Sequence, residues 1–429
     1  MGVDFSDLFS SYNSKERVLK ATQSQYDIIV IGAGPAGAVV SALLNQRGYR
    51  VLVLEKTYFP RFSIGESLLP QSMRFLEQAN MLDAVHAAGF QFKNGAAFSC
   101  AERYESFDFN EKFTEGWGTT YQVQRDKFDK ILADTAEQQG VEICYGQTVT
   151  AFEYHQKTAY VTVADEDGDV YKLSSQFVLD ASGYGRVLPR LLGLDKPSNF
   201  PSRTSLFTHI EDRIQDETYD RNKILITVHP DFQDVWYWLI PFSNGRSSVG
   251  VVATQTFIQQ LDGETEDKLK QLINESGWMA TLLKQANFDT RVGELTGYAC
   301  DVSQLYGDGY ALLGNAGEFL DPVFSSGVTI ALKSSSLAAS VLDKQLQGEE
   351  VDWHNAFVLP LQQGIHTFKE FVEAWYDGRL QDVIFTRNKN APIKRMISSI
   401  LAGYAWDTHN PYVKDVKRLS SLAELCRNR

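Results

Sequence analysis

Cysteine is scarce in this chain: four residues in 429, at Cys100, Cys144, Cys300 and Cys426. They are widely spaced and form no C-x-x-C pair. That excludes a disulfide framework and a cysteine-based metal site, and implies a reducing, cytoplasmic setting with no metal. An apolar run of membrane-spanning length is absent, and the acidic start MGVDFSDLF is not a leader peptide. Positive charge is in deficit, 41 Lys and Arg against 54 Asp and Glu for a net charge of −13. Bulk attraction to nucleic acid or to an anionic membrane is therefore excluded. Internal repeats and low-complexity linkers are also missing. The length and the 43% hydrophobic content allow two or three domains with ample core.

What is present begins at Tyr26–Lys56, YDIIVIGAGPAGAVVSALLNQRGYRVLVLEK. An apolar segment ending at Ile31 reads as a buried parallel strand. Gly32, Gly34 and Gly37 follow as G-x-G-x-x-G. The first glycine allows a tight turn, the second lets a pyrophosphate approach the backbone, and the third lets helix and strand pack closely. A helix over Ala38–Gln46 turns its positive N-terminal end toward that pyrophosphate. Val51–Leu54 reads as a second buried strand, ending on Glu55, placed to bind ribose hydroxyls. Strand, turn, helix, strand and acid in this order predict a dinucleotide site.

Further along, YFPRFSIGESLLP reads as a loop entering a helix. Gly65, Glu66 and Ser67 in it either approach a ring system or cap the helix. Lys93 lies in the apolar run GFQFKNGAAF. Its residue pattern reads as a strand lysine with its ammonium in water, against a functional amine as the alternative. Arg125 opens a helix after a strand and is placed to reach a phosphate or a flavin edge. Phe177–Leu179 is another buried strand, leading into Asp180-Ala-Ser-Gly-Tyr-Gly. Short alternating segments between 200 and 290 predict a mostly antiparallel sheet, with Trp236, Trp238 and Ile240 on one face as core or as a cavity wall. Asp321 and Pro322 form a turn, and Ser325-Ser326-Gly327 open a helix whose free N–H groups suit an anion. A long amphipathic helix starts near Trp353.

There is one dinucleotide fingerprint and no second, so FAD without a bound nicotinamide is the economical cofactor. The order GAGPAG, Arg125, DASG, then GN and DP resembles the FAD-binding fold of aromatic hydroxylases and flavin-dependent halogenases, from Tyr26 to the C-terminal helices. Trp236-Tyr-Trp238-Leu-Ile240-Pro241 is similar to the W-x-W-x-I-P signature of the halogenases, and Lys93 falls in the segment that carries their essential lysine. FPRFSIGESLLP and DPVFSSGV resemble the subgroup acting on phenols and pyrroles, often tethered to a carrier protein. Phe324 stands where tryptophan halogenases carry a glutamate, which implies a substrate other than free tryptophan.

The resemblance implies an α/β fold. A Rossmann-like FAD-binding domain is expected over 25–200, with 90–118 contributing to the substrate side, and returns over 291–348. An inserted antiparallel-sheet substrate domain is expected over 201–290, a helical region over 349–429, and an N-terminal tail over 1–24. It implies cofactor contacts from Gly32, Gly34, Pro35, Ala36, Gly37, Glu55, Lys56, Arg61, Ser67, Arg125, Val149, Asp180, Asp321, Pro322, Gly327 and Val328, and a halide site at Ser325, Ser326 and Gly327. The implied chemistry uses reduced FAD from a separate flavin reductase. A flavin hydroperoxide oxidises chloride or bromide to a hypohalous species. Trp236 and Trp238 keep substrate from the peroxide, and Lys93 delivers the halogen to an electron-rich aromatic ring. The same fold also serves FAD-dependent monooxygenases, flavin reductases and non-catalytic flavin-binding proteins.

Overall fold

A computed structural model describes residues 21–198, 200–388 and 390–427. Most of the expected N-terminal tail lies outside these residues.

The nucleotide unit is built on a six-stranded sheet. From one edge its strands are Tyr306–Gly307, Tyr310–Leu312, Phe177–Asp180, Ile28–Ile31, Val51–Leu54 and Glu142–Cys144. All neighbours pair in parallel except the first two. Ile28–Ile31, Val51–Leu54 and Phe177–Asp180 are buried along their whole length, between covering helices and the three-stranded sheet of Thr148–His155, Thr158–Ala164 and Val170–Ser175, whose Phe152 packs on Tyr310. One covering helix, Pro35–Asn45, starts three residues earlier than the apolar periodicity suggests, with Pro35 in its first turn. It packs on the helix Ser326–Leu346, and Ser335 Oγ donates to the Ala36 carbonyl at 2.9 Å. The C-terminal strand ends place the Gly32 turn, Glu55 and the Asp180 turn along one edge, where open α/β sheets form their ligand crevice.

The second unit is a seven-stranded sheet in the order Gly293–Thr296, Arg203–Glu211, Arg246–Thr254, Trp236–Pro241, Lys223–Val228, Gly95–Cys100, Arg103–Asp108. Its pairings are antiparallel except Lys223–Val228 with Gly95–Cys100. Two strands from within the 90–118 segment, Gly95–Cys100 and Arg103–Asp108, are part of this sheet. The sheet also takes in Gly293–Thr296, beyond the expected boundary at 290. Both faces are buried. Phe207, Ile226, Trp236, Trp238 and Ile240 face the nucleotide unit, while Leu206, Leu225, Tyr237, Leu239 and Val251 pack under short helices from 255 to 283. This two-sided burial is why WYWLIP is apolar throughout.

GFQFKNGAAF divides between two sheets. Gln91–Lys93 pairs with Thr120–Gln122 in a separate two-stranded ribbon, and Gly95–Cys100 enters the large sheet. The long helix Leu359–Tyr376 begins after a short π-helical turn at His354–Val358, and buries Leu361, Ile365, Phe368, Val372 and Trp375.

Candidate active site

The glycine turn is shaped by steric necessity. Gly32 has φ +95°, and a Cβ there would lie 2.8 Å from the Ala181 carbonyl oxygen. A Cβ on Gly37 would lie 1.8 Å from the Gly32 carbonyl oxygen, so no side chain fits. The helix that follows has no side-chain cap and no acid in its first turn, which leaves its positive end for an anion. A Cβ at Gly34 would meet the Arg61 Nη2 at 3.3 Å, so Arg61 lies over the turn. Arg61 Nε is buried and has no hydrogen-bond partner among the described residues. A glycine turn, an uncapped helix end and an unsatisfied guanidinium N–H together fit a pyrophosphate.

Glu55 is buried at the end of its strand. Its Oε2 accepts from the Ala33 N–H at 2.8 Å, and its Oε1 accepts from the Thr57 N–H and hydroxyl at 2.9 and 2.7 Å. Lys56 beside it is exposed. Asp180 braces its own turn, accepting from the Ser182 N–H at 2.9 Å and the Leu188 N–H at 2.6 Å. Val149 stands on a separate three-stranded sheet, paired with Val163.

Arg125 is expected at a phosphate or flavin edge. Here its guanidinium is forked onto Asp129 at 2.7 and 3.0 Å and donates to the Ile64 carbonyl at 2.5 Å. Asp129 also pairs with Arg61 at 3.6 Å. Sequence reading passes over Asp129, which lies inside a helix pattern, yet this buried carboxylate organises both arginines. Arg125 therefore shapes the loop before Ser67. Gly65 in that loop has φ +92°, and its Cβ position faces Val328 Cγ2 at 3.8 Å. Loop and helix start thus oppose each other across the crevice.

On the far side, Asp321 and Pro322 form the expected turn. Ser325 is left-handed at φ +55° and precedes the 21-residue helix Ser326–Leu346, whose first turn has neither a side-chain cap nor an acid. Asp321 is buried and accepts from the Val323 N–H at 3.0 Å and the Tyr376 hydroxyl at 2.8 Å. Burial pushes its pKa up to about 6. Phe324 is buried against Phe371 and Trp375.

Lys93 departs most from its residue pattern. The reading that places its ammonium in water is wrong: the side chain is 1% exposed. The strand is short and edge-on, so Lys93 points inward beneath the 64–68 loop. Its Nζ donates to Ser67 Oγ and to the Leu68 carbonyl, both at 2.7 Å, and lies 5.5 Å from the centre of the Phe109 ring. These hydrogen-bond partners are neutral. Burial pulls its pKa from 10.5 down to about 7. The loop is also gripped from the sheet side by a buried pair that sequence reading misses, His209 Nε2 and Glu66 Oε1 at 2.5 Å. Burial opposes charge on His209, but Glu66 outweighs it and moves the His209 pKa up.

The two tryptophans share one buried face of their strand. Their ring centroids are 6.0 Å apart, and Phe207 stacks near Trp238 at 6.3 Å. Trp236 Nε1 donates to the Tyr376 hydroxyl at 2.9 Å and Trp238 Nε1 to Ser248 Oγ at 3.0 Å. Gly250 makes room for Trp238, since a Cβ there would lie 2.4 Å from its ring.

Fold and crevice together define a dinucleotide-binding flavoprotein. The chain belongs to the FAD binding domain family, whose model matches residues 25–353. Among characterised relatives, a 1H-pyrrole-2-carbonyl peptidyl-carrier-protein chlorinase from Pseudomonas fluorescens is 26% identical over 92% of both chains. A brominase of the same carrier-bound pyrrole from Pseudoalteromonas luteoviolacea is 28% identical over 77% of this chain and 80% of its own. Among solved structures, a flavoprotein/dehydrogenase from Cytophaga hutchinsonii matches with a TM-score of 0.91 and 45% identity, over 94% of this chain and 99% of that one. The chain is thus an FAD-dependent oxidoreductase with flavin-dependent halogenases as homologues, as the W-x-W-x-I-P and lysine motifs imply.

Proposed function

We propose that this protein is a halogenase that uses reduced FAD, dioxygen and chloride or bromide to halogenate an electron-rich ring, a pyrrole or phenol carried on a peptidyl carrier protein. The observation that carries this reading is Lys93: a buried amine with neutral partners, and so neutral in part near pH 7.

Reduced FAD, when bound, supplies the electrons that activate dioxygen. Gly32, Gly34, Pro35, Ala36 and Gly37 with Arg61 hold its pyrophosphate, and Glu55 the ribose. Lys56, Ser67, Arg125, Val149, Asp180, Asp321, Pro322, Gly327 and Val328 line or brace the rest of its site. The N–H groups at Ser326 and Gly327 attract the halide to the positive helix end, with left-handed Ser325, whose own N–H donates to the Pro322 carbonyl at 2.9 Å, leading the chain into it. Trp236 and Trp238 exclude the organic substrate from the oxidising side. Lys93 then receives the hypohalous acid. A neutral amine either donates a hydrogen bond to it or exchanges N–H for N–halogen with loss of water. In the second case the halogen passes to the ring, and the ring proton leaves as the N–H is restored.

The test combines the protein with FAD, NADH, a flavin reductase, bromide, and pyrrole-2-carbonyl on a carrier protein. The expected product gains one bromine, and Lys93→Ala abolishes it while FAD binding persists. The 45% identity to a flavoprotein/dehydrogenase favours a second reading, oxidation or reduction of an organic substrate without halide. Halide-independent turnover, with bound FAD reduced anaerobically by an organic substrate, would establish that reading instead.

A further inference from the structure

Three parts of the chain meet at one hydroxyl. Tyr376 ends the long helix Leu359–Tyr376 and is half-buried between the two units. Its hydroxyl accepts from Trp236 Nε1 at 2.9 Å and donates to Asp321 Oδ2 at 2.8 Å. The direction is fixed by chemistry. An indole N–H can only donate, so the single phenol proton must point at Asp321. The other Asp321 oxygen accepts from the Val323 N–H at 3.0 Å. The Tyr376 ring is itself clamped, with the Arg203 guanidinium carbon 3.4 Å from its centre. Arg203 also donates to the Asp234 carbonyl at 3.1 Å, just before the tryptophan strand. Trp238 is anchored independently, by Ser248 within the sheet.

We propose that Tyr376 is a positioning residue that locks the Trp236 indole to the Asp321-Pro322 turn, so that the tryptophan wall and the flavin-facing helix start hold one relative position. The role assigned to the wall rests on the halogenase reading; the lock itself does not. Without the hydroxyl, an indole N–H and a carboxylate oxygen are left unpaired in a dry site. Either the indole turns or the turn moves to recover partners. Both changes open the wall on the oxidising side. The helix that delivers Tyr376 lies more than a hundred residues beyond Trp236. The coupling therefore makes the C-terminal region part of the site.

The test uses full-length protein labelled with 15N-tryptophan, with the Trp236 indole signal assigned by its loss in Trp236→Phe. In Tyr376→Phe, with FAD affinity retained, the Trp236 N–H signal is expected to move upfield and to exchange with solvent about tenfold faster, the scale of one lost hydrogen bond. With reduced FAD and bromide, hydrogen peroxide released per halogenated product is expected to rise several-fold. Trp236→Phe removes the same donor while keeping a ring in the wall, and it should raise the ratio similarly. Adding Tyr376→Phe to Trp236→Phe should then add little. If Tyr376→Phe does not fold, Trp236→Phe alone carries the test. An unmoved indole signal in folded Tyr376→Phe, or an unchanged peroxide ratio in either single variant, overturns the proposal. If the unaltered protein makes no halogenated product, the halogenase reading fails and the indole signal still decides the lock.

Discussion

Replacing Lys93 by methionine should abolish halogenation and favour the protein's stability more at low pH than at high pH. The amine sits without a counter-charge, and burial moves its pKa from 10.5 to about 7. At about 1.4 kcal/mol per pH unit, holding it protonated in the folded state costs about 5 kcal/mol below pH 7. Between about 7 and 10.5 the unfolded chain keeps a proton that the folded chain has released, so this term makes stability rise with pH; above 10.5 the penalty is gone. At pH 9 about 2 kcal/mol of the penalty remains, and about 3 kcal/mol has been recovered since pH 6. Methionine preserves the stem but leaves the Ser67 hydroxyl and the Leu68 carbonyl without their donor, at about 1–3 kcal/mol each. That loss is the same at every pH and cancels from the comparison. The assay is the melting temperature of both proteins, with FAD bound and scanned at one rate, at pH 6, 7.5 and 9. The variant's stability relative to the unaltered protein should fall by about 3 kcal/mol from pH 6 to pH 9, several degrees for a chain of this size. A difference independent of pH would refute the argument, because it would mean that the amine is solvated or paired in the folded state.

Three further outcomes follow from the geometry. Gly37→Ala, whose Cβ would lie 1.8 Å from the Gly32 carbonyl oxygen, should cost about 1–3 kcal/mol and lower FAD affinity about tenfold or more, read by flavin fluorescence on titration. Gly250→Ala should displace the Trp238 ring, lower the melting temperature by a similar free energy, and raise peroxide release relative to product while FAD still binds. If the proposed carrier-bound substrate docks on the cation-rich stretch Thr386–Arg395, which holds no acid, reversing the exposed Arg387 and Arg395 to Glu should slow association with an acidic carrier and flatten its salt dependence, measured by stopped-flow at several ionic strengths, while a small untethered mimic reacts as before. Lys394 should matter less, because it is already paired with Glu105 at 2.6 Å.

The glycine turn and the central strands of the nucleotide half were legible in the sequence. Their signals are local: glycines whose Cβ would strike the neighbouring backbone, strands that are apolar because they are buried along their whole length, and an acid at a strand end. The tryptophan face was legible for the same kind of reason, since side chains two apart on a strand share a face. What the linear order could not decide was partnership. Lys93 reads as a solvated lysine until the 64–68 loop folds over it and burial lowers its pKa. Arg125 reads as placed to reach a phosphate or flavin edge, and only the fold shows that it is forked onto Asp129. The stretch Thr386–Arg395 holds cations and no acid, yet folding sets Glu105 against Lys394 and brings Asp108 and Glu111 to line the groove beside it. Tyr376 is the end of an amphipathic stripe in sequence, and in space it is the hydroxyl between Trp236 and Asp321. Propensity and periodicity act over a few residues, so sequence alone sets the elements and the glycine turn. Charge pairing and desolvation act across contacts between distant segments, so only the tertiary structure decides which ionisable groups are free, paired or dry.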